Sequence, residues 1–565
     1  MRRLAVFAIA FVSRFCAGQA EHSLPSPHFV PGSGIEMRII NCYEDIPPRG
    51  FLPVRVEVKN HSSAPRTWQF RAVHSQSSLR SMQFVASLSV DAGSERAFEL
   101  LVPIAPQFAV SSRYSNLLIS ITGYGVASGT TSEHSSGSGL TSTPFLGMGE
   151  ALSVKNWGPL RERMEKNHSR SLDGSAVDPR LLPEDWRGLA GFEILVFSDF
   201  EWRQIPATQR NAIQDWIIQG GKLVLCLAGT ADTPDLPIAD DLGTGAVLHW
   251  APGDDFLDLA GLLLMATEVP AVSATLQDYT WQWPLAQSVG RPEPPHLLII
   301  SFVVGFALVI GPLNFVAFAP LGQRHRLFWT TPAIAVAASV LMGLFIVLSE
   351  GFGGSGERFE VLLNLPQLRK SVVWQEQASR TGVLASSAFV PSEPSLILPI
   401  GLRDSPGSYL LSERGKTYFL DGTTWSGDWF RSRTTQAQLL LAVLPTRAQV
   451  QIVMSRDVAP SAVSTFDQEM AEFWYFDEEG IAWKAENLRP GEKQALKRTE
   501  QQAFEAWWRS ALKPAGPITR GHAEAYAKDK TGKFFASTTT PRFITSLATI
   551  RWKDSSGLIV GQASQ

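Results

Sequence analysis

The sequence has little of what most small exported domains and metal enzymes depend on. Only 3 of its 565 residues are cysteine, which excludes a disulfide framework. Its 10 histidines are scattered without an H-x-x-x-H or C-x-x-C spacing, so a zinc site has no support. The formal charge of -3 shows no basic excess, and a nucleic-acid partner is not expected. No motif indicates a cofactor.

Charged residues are also missing from two long apolar runs. The first, 297–319, is about 23 residues long, or roughly 34 Å as a helix, which is enough to cross a hydrocarbon core of about 30 Å. The second, 327–348, is nearly as long. Helices of a soluble core seldom run so far without a charged face. The two runs therefore predict two membrane-spanning helices that form a hairpin.

The loop between the two runs, 320–326, contains Arg324 and Arg326 and no acidic residue. At the outer ends of the runs, basic residues are accompanied by glutamates. The positive-inside rule then places the loop in the cytoplasm. The sequence thus predicts a two-pass protein of the bacterial inner (cytoplasmic) membrane, with the lipid bilayer as a partner and both large flanking regions in the periplasm.

The N-terminus is typical of an exported protein. Arg2 and Arg3 precede the apolar run 4–12, and small residues follow. This pattern predicts a signal peptide over 1–20, cleaved near Gly18 or Ala20. Because Arg14 interrupts the pattern, an uncleaved anchor stays open as an alternative.

In most of the remaining sequence, apolar and polar residues alternate as they do in β-strands. Short strands over 35–125 predict an immunoglobulin-like β-sandwich, followed by a Ser/Gly-rich flexible linker over 126–146. The segment 358–565 predicts a β-rich periplasmic region. It includes one helix near 493–512, because Leu496, Phe504, Trp508 and Leu512 recur near one face.

The segment 147–275 has a different period. A buried strand at 192–198 is followed by an amphipathic helix at 208–219, which Gly220 ends, and then by a second buried strand from Lys222. A strand, a helix and a strand joined by short turns form a right-handed βαβ unit. An α/β domain with a parallel sheet is therefore predicted here.

A family resemblance covers 182–348. The run LPEDWRGL at 182–189, the strand ending at Ser198, Trp216 with Gly220-Gly221, and GPLNF at 311–315 resemble uncharacterised bacterial membrane proteins that carry a class I glutamine-amidotransferase-like domain followed by a two-helix membrane hairpin. The resemblance implies a flavodoxin-like parallel sheet that faces the periplasm. It also implies genes beside those of a MoxR-type ATPase and von Willebrand A-domain proteins, which makes these proteins candidate partners.

The resemblance makes Cys226 a candidate nucleophile, because amidotransferases of that fold use a cysteine. The sequence argues against this role. A catalytic cysteine lies at a tight turn from strand to helix, whereas Cys226 is predicted in the middle of a strand, between Leu225 and Leu227. His249 is the only histidine between it and the membrane boundary at His296. We expect Cys226 to be a small core residue.

Two further groups of residues are candidate sites. Asp199, Glu201 and Trp202 directly follow the strand 192–198, and ligands of open α/β sheets bind beyond the carboxyl ends of strands. The alternative is that Asp199 only caps the next turn. In the first apolar run, Pro312 and Asn314 are candidates for packing between the membrane helices. The alternative is that Asn314 hydrogen-bonds the second helix or another subunit, near a carbonyl that Pro312 frees.

These observations predict a non-catalytic, membrane-anchored periplasmic protein whose role is binding or assembly and whose amidotransferase-like domain is degenerate. The alternative is an exported thiol-dependent amidase or hydrolase that acts on a cell-envelope substrate through Cys226 or the region of Asp199.

Overall fold

The computed structural model describes residues 24, 27–76, 80–105, 114–127, 131–137, 145–168, 173–226, 243–250, 276, 278–290, 296–318, 322–404, 415–455, 458–553 and 556–564. The predicted signal peptide over 1–20 lies outside these residues. Within them, the chain folds mostly into β-sheets, with one parallel sheet flanked by helices and two long apolar helices, as the sequence predicts.

Seven strands of the described residues precede the parallel sheet. They are β1 (Ile35–Asn41), β2 (Phe51–Asn60), β3 (Arg66–Gln76), β4 (Arg80–Val90), β5 (Ser94–Pro103), β6 (Tyr114–Gly123) and β7 (Thr131–Gly137). One antiparallel sheet has the order β1-β2-β5, and the strands β4-β3-β6-β7 belong to a second sheet. The linker prediction over 126–146 is wrong in part, because β7 lies within it and pairs with β6 along its whole length.

The parallel sheet and its helices follow. The elements are β8 (Phe145–Gly149), α1 (Glu150–His168), β9 (Asp173–Val177), β10 (Ile194–Ser198), α2 (Asp199–Gln204), α3 (Ala207–Ile217), β11 (Lys222–Cys226), β12 (Ala246–Trp250) and α4 (Pro284–Val289). The strand order is β12-β11-β10-β8-β9, and every neighbouring pair is parallel. Residues 251–275 of the predicted domain lie outside the described residues.

Both faces of this sheet are covered. Residues of one face, including Met148 and Val196, pack with Leu160 of α1. Residues of the other face, including Phe197, belong to the main core together with Ile213 of α3. Burial on both sides explains why the strands read as continuous apolar runs rather than as alternating ones.

The two apolar runs form helices in contact with each other. They are α5 (His296–Leu308), which continues as a π-helix (Val309–Phe318) around Pro312, and α6 (Leu327–Glu350). Both are long and apolar enough to cross a membrane, and in the most apolar part of each only 6% and 0% of the residues are buried. A core helix of a soluble domain would be mostly buried.

The chain after α6 forms fifteen further strands in its described part. They are β13 (Gly354–Leu365), β14 (Lys370–Thr381), β15 (Leu396–Ile400), β16 (Lys416–Asp421), β17 (Thr424–Gly427), β18 (Thr435–Pro445), β19 (Val450–Ser455), β20 (Val458–Ser464), β21 (Met470–Phe476), β22 (Ala482–Leu488), β23 (Lys493–Ala495), β24 (Lys497–Thr499), β25 (Lys533–Thr538), β26 (Ile550–Trp552) and β27 (Ser556–Gln562). Most of them form one large sheet with β13 and β14 near its centre.

Two helices of the described C-terminal part pack on this large sheet, α7 (Gln501–Ala511) and α8 (Pro517–Tyr526), and α4 packs on its strands β13 and β14. The prediction of one helix over 493–512 is therefore wrong in its first part, where β23 and β24 lie instead. Leu496 is buried as the helical pattern requires. However, β24 pairs with the edge strand β22, and this tertiary pairing overrides the local periodicity.

The regions on either side of the apolar helices share one sheet. β16 pairs in parallel with β4, from Lys416 opposite Arg80 to Asp421 opposite Val85, and β17 extends the sheet further. The second sheet therefore has the order β17-β16-β4-β3-β6-β7. The predicted units 35–125 and 358–565 are thus joined through hydrogen-bonded strands and a common hydrophobic core.

The segment immediately before α5 also lies on the region that follows α6. The hydroxyl of Tyr279 donates to the buried Glu376 carboxylate on β14. The indole of Trp283 donates to the carbonyl of Pro514 at 3.1 Å, and Thr435 donates to the carbonyl of Gly290 at 3.2 Å. The chain therefore enters and leaves the two apolar helices from one packed body.

Candidate functional site

The carboxyl ends of β8 and β10 meet where the strand order of the parallel sheet reverses. From β8 the chain moves to β9 on one side, and it then returns to β10 on the other side. Ligands of open α/β sheets bind in the crevice at such a point. β8 ends at Gly149 directly before α1, and β10 ends at Ser198 directly before α2.

The carboxylate of Glu201 occupies this crevice. One oxygen accepts from the backbone N–H of Ala151, in the first turn of α1, at 2.8 Å. The other accepts from the backbone N–H and the hydroxyl of Ser198 at 2.9 and 2.7 Å. Glu201 is only 4% exposed. A helix N-terminus attracts anions, and here the anion is the protein's own side chain.

Gly149 leaves the space that this carboxylate occupies. A Cβ atom added at Gly149 would overlap both carboxylate oxygens of Glu201. The Ser198 hydroxyl in turn accepts from the backbone N–H of Glu201 at 3.3 Å, which completes a capping box at the start of α2. The crevice is therefore filled by groups that satisfy one another.

The two neighbours of Glu201 in the predicted site point to other roles. Asp199 forms an ion pair with Arg203 one turn along α2, at 3.0 Å. Trp202 is buried in the main hydrophobic core. Of the three residues that the sequence singled out, the structure thus brings only Glu201 into the crevice.

Cys226 is the last described residue of β11, since residues 227–242 lie outside the described part of the chain, and its predicted mid-strand position stays a prediction. It lies opposite Ser198 on β10 and Trp250 on β12, at the same edge of the sheet as the crevice. Its side chain is buried in the cluster that α1 covers. Burial, assisted by the nearby Glu201 charge, raises the pKa of the Cys226 thiol to about 12. Such a thiol is protonated at neutral pH and is a poor nucleophile.

Asn314 connects the two apolar helices. Its side-chain amide donates to the hydroxyl of Thr331 on α6 at 3.1 Å, and the residue is fully buried. The carbonyl oxygen of the Asn314 side chain has no hydrogen-bond partner among the described residues. Pro312, which cannot donate a backbone hydrogen bond, lies two residues earlier in the π-helix.

A cleft of about 600 Å³ lies where three parts of the chain meet. One wall is made by β2 and β5, a second by the segment 180–187 between β9 and β10, and a third by the segment 390–395 together with the turn after β16. No local pattern predicts this cleft, because its walls come from three segments that are far apart along the chain. Its apolar lining includes Phe51, Phe84, Leu101, Leu182 and Trp425.

Charged side chains also line this cleft. Arg187 pairs with Asp185 at 2.6 Å, and the other two arginines, Arg55 and Arg180, lie near acids of their own on neighbouring positions. Three glutamates have no ion-pair partner among the described residues: Glu99, Glu184 and Glu393. Burial and the nearby Glu184 charge raise the pKa of Glu99. The Arg55 charge partly offsets this rise. Four acidic side chains, Glu99, Glu184, Asp185 and Glu393, line the cleft against three arginines, so acidic groups are in excess.

Metal binding has no geometric support in the part of the chain that the structure describes. No three His, Cys, Asp or Glu side chains there lie close enough together to hold an ion.

Comparisons with known proteins give similar solved structures but no matching family. No family model matches it, and no curated protein matches it. Solved structures to which parts of it are similar include a Paenibacillus sp. cycloisomaltooligosaccharide glucanotransferase (9% identity, 36% of this chain, 28% of that chain, TM-score 0.17). Another is Bacteroides uniformis beta-glucuronidase 2 (9% identity, 36% of this chain, 35% of that chain, TM-score 0.17).

A third is the yeast delta-COP-I mu-homology domain (10% identity, 38% of this chain, 96% of that chain, TM-score 0.17). The chain covers about a third or less of the length of the first two. TM-scores this low support no inference about fold or function, so the proposals below depend on the geometry of this chain.

Proposed function

We propose that this protein is a membrane-anchored, non-catalytic binding or assembly protein of the bacterial periplasm, built around a degenerate amidotransferase-like domain. The observation that carries the proposal is the Glu201 carboxylate, which fills the crevice where a sheet of this kind would bind a substrate. In the order of the chain, the parallel strands are arranged 2-1-3-4-5, which is the order of flavodoxin-like domains and supports the kinship proposed for this domain.

The state of Cys226 argues against the alternative, a thiol-dependent amidase. At pH 8, a thiol with a pKa of about 12 is ionised roughly 1000-fold less than one with the ordinary value of 9.0. The first turn of α1, which could otherwise stabilise a thiolate or an oxyanion at the crevice, already donates to Glu201. The arrangement therefore disfavours nucleophilic catalysis.

Thiol labelling tests this part of the proposal. In protein whose Cys16 and Cys42 are replaced by serine, iodoacetamide at pH 8 should modify Cys226 about 1000-fold more slowly than an exposed cysteine introduced by Ser89→Cys. After unfolding in urea the two rates should become equal. Fast labelling of folded Cys226, or loss of the cellular phenotype in Cys226→Ser at normal protein level, would support the amidase instead.

The shared sheet supports a two-pass topology. If α5 and α6 cross the membrane, β4 and β16 can pair only when the chain returns to its original side, because both strands belong to one sheet. Two helices joined by a short loop meet that condition. The arginines at the loop then favour a cytoplasmic loop and periplasmic flanking regions.

A paired-cysteine experiment tests the shared sheet and the common side together. Ser81 and Thr417 lie opposite each other on β4 and β16, and their hydroxyls are 3.1 Å apart. In Ser81→Cys/Thr417→Cys, a disulfide should form during export, because directly paired strand positions are within disulfide reach. The pair Ser89→Cys/Thr417→Cys is the control and should remain reduced.

Reporter fusions test the orientation. Alkaline phosphatase fused after Gln565 should be active, since it folds only in the periplasm, and the same reporter inserted in the 323–326 loop should be inactive. A cytoplasmic C-terminus would contradict the proposed side while leaving the shared sheet intact.

Purification of the membrane complex tests the proposed partners, a MoxR-type ATPase and von Willebrand A-domain proteins, which should be enriched over a control purification.

A further inference from the structure

We propose that the 600 Å³ cleft between β2, β5 and the segments 180–187 and 390–395 binds an extended peptide that carries lysine or arginine side chains and belongs to a partner protein. This inference rests on the proposed binding role and specifies the chemistry of the partner. The volume falls within the range of sites that enclose a ligand, about 300 to 1,000 Å³.

The edge of β5 indicates an extended ligand. β5 is the last strand of its sheet, and its only strand partner in the described residues is β2. Three consecutive residues of β5, Glu99, Leu100 and Leu101, line the cleft. Pro53, Val54 and Arg55 of β2, which pair with these residues, also line it. The cleft therefore lies at this end of the strand pair, where the outer edge of β5 borders it. An added strand can pair with such an edge through its backbone.

The charges of the cleft indicate that the peptide is basic. Glu99, Glu184 and Glu393 come from three separate walls, and none of them has an ion-pair partner among the described residues. The charge of Glu184 is close enough to raise the pKa of Glu99. Two carboxylates that repel each other across a cleft are both stabilised when a cation lies between them.

Gln209 gives an independent indication of a ligand. It lines the cleft from α3 and is only 7% exposed. The oxygen of its side-chain amide is buried and has no hydrogen-bond partner in the described part of the chain. Buried polar groups without partners are rare in native structures and call for an explanation. An N–H donor of a bound peptide would supply the missing hydrogen bond after a small rotation of the Gln209 amide.

The apolar lining completes the expected sequence pattern. Side chains of Phe84 on β4, Leu101 on β5 and Trp425 on β17 line the cleft beside the glutamates. A bound strand that alternates apolar and basic residues would place its apolar side chains against this apolar lining and its basic side chains near the glutamates. The recognised partner is therefore a segment such as valine alternating with lysine, rather than a uniformly basic tail.

Fluorescence anisotropy with a defined peptide tests this inference on the full chain in lipid nanodiscs. The probe is fluorescein-labelled (Val-Lys)3, and it should bind with a dissociation constant below 1 mM that increases with salt. The matched peptide (Val-Glu)3 should not bind. A (Val-Lys)3 peptide with alternate backbone nitrogens methylated should also fail, because it cannot pair with the edge of β5. Cadaverine at millimolar concentration should not displace the probe.

Two variants identify the site. Glu99→Gln/Glu184→Gln should weaken binding of (Val-Lys)3 at least 10-fold. Glu95→Gln, on the same strand but outside the cleft, should change it less than 2-fold. Equal binding by the double variant, binding of the methylated peptide, displacement by cadaverine, or no binding of (Val-Lys)3 at 1 mM would each overturn the inference.

The same measurement in Cys226→Ser separates this inference from the proposed function. If Cys226→Ser binds the peptide but loses its cellular phenotype, the non-catalytic role is wrong and the cleft remains. If it keeps the phenotype and the peptide does not bind, only the assignment of the cleft is wrong.

Discussion

Glu360 on β13 should make the stability of the protein decrease as the pH increases. Its carboxyl group is completely buried in the large sheet. Neither oxygen forms a hydrogen bond of good geometry, although the backbone N–H of Arg542 and the charge of Arg358 partly offset the cost of burial. Burial is the larger effect and raises the pKa of Glu360 from the ordinary value of 4.5 to about 7.

The sign and the size of the effect on the free energy of unfolding follow from the difference between the pKa of Glu360 in the folded state and its ordinary value in the unfolded state. Because the folded state holds the proton more tightly than the unfolded state, the stabilisation is complete below pH 4.5 and is lost as the pH rises through 7. A tenfold change in the protonation equilibrium is worth about 1.4 kcal/mol, so ionisation of Glu360 costs the folded state about 3 kcal/mol at pH 8. Glu360→Gln, which keeps the shape of the neutral acid, should remove that cost.

Urea denaturation of the purified full chain, followed by tryptophan fluorescence, measures this effect. At pH 8, Glu360→Gln should have a free energy of unfolding about 3 kcal/mol higher than the wild type. At pH 4.5 the two proteins should be nearly equal. Glu57→Gln is the control, since the half-buried Glu57 on β2 forms only a solvent-accessible ion pair with Arg55 at 3.3 Å, and it should change stability by no more than about 0.5 kcal/mol. The same pH dependence in Glu360→Gln and wild type would refute the reasoning.

Three further predictions concern other sites. Gly149→Ala should cost about 2 kcal/mol, since the added methyl group meets the hydrogen-bonded Glu201 carboxylate. In a double-mutant cycle with Glu201→Ala that cost should fall below about 1 kcal/mol, and additive urea denaturation energies would contradict the close fit. Asn314→Leu should destabilise the helix pair by only about 0.6 kcal/mol in a detergent unfolding titration; a loss of several kcal/mol would indicate a further partner. Gln375→Ala removes two hydrogen bonds, at 2.7 and 3.0 Å, to the backbone of Ile544; deuterium exchange at that amide should accelerate at least tenfold, and unchanged exchange would count against these bonds.

Local pattern was sufficient for the elements whose side chains face a continuous core. The strand 192–198 was predicted from its apolar run, and β10 covers Ile194–Ser198 with Ile194 through Phe197 buried. The helix 208–219 was predicted from its period, and α3 covers Ala207–Ile217. Gly220, predicted to end it, has a φ of 114°. In these elements the period of the sequence and the exposure to the core agree.

The crevice of the parallel sheet was only partly predictable. The rule that ligands of open α/β sheets bind beyond the carboxyl ends of strands made Asp199, Glu201 and Trp202 candidates. In the structure, Glu201 lies in the crevice. The helix-capping role of Glu201 has a signal in the sequence, because Ser198-Asp199-Phe200-Glu201 fits the capping-box pattern. Its bond to Ala151 had none, because that contact joins residues 50 positions apart.

The sequence by itself determined the two apolar helices, the α/β unit and the β-strands on both sides, because each depends on the local period and length of apolar runs. Only the tertiary structure decided that β16 completes the sheet of β4, that Glu201 closes the crevice, and that the cleft lies between three distant segments. These features depend on hydrogen bonds and charges between residues brought together by the path of the chain. No local pattern encodes which strand edges will meet, because any strand edge offers the same backbone donors and acceptors.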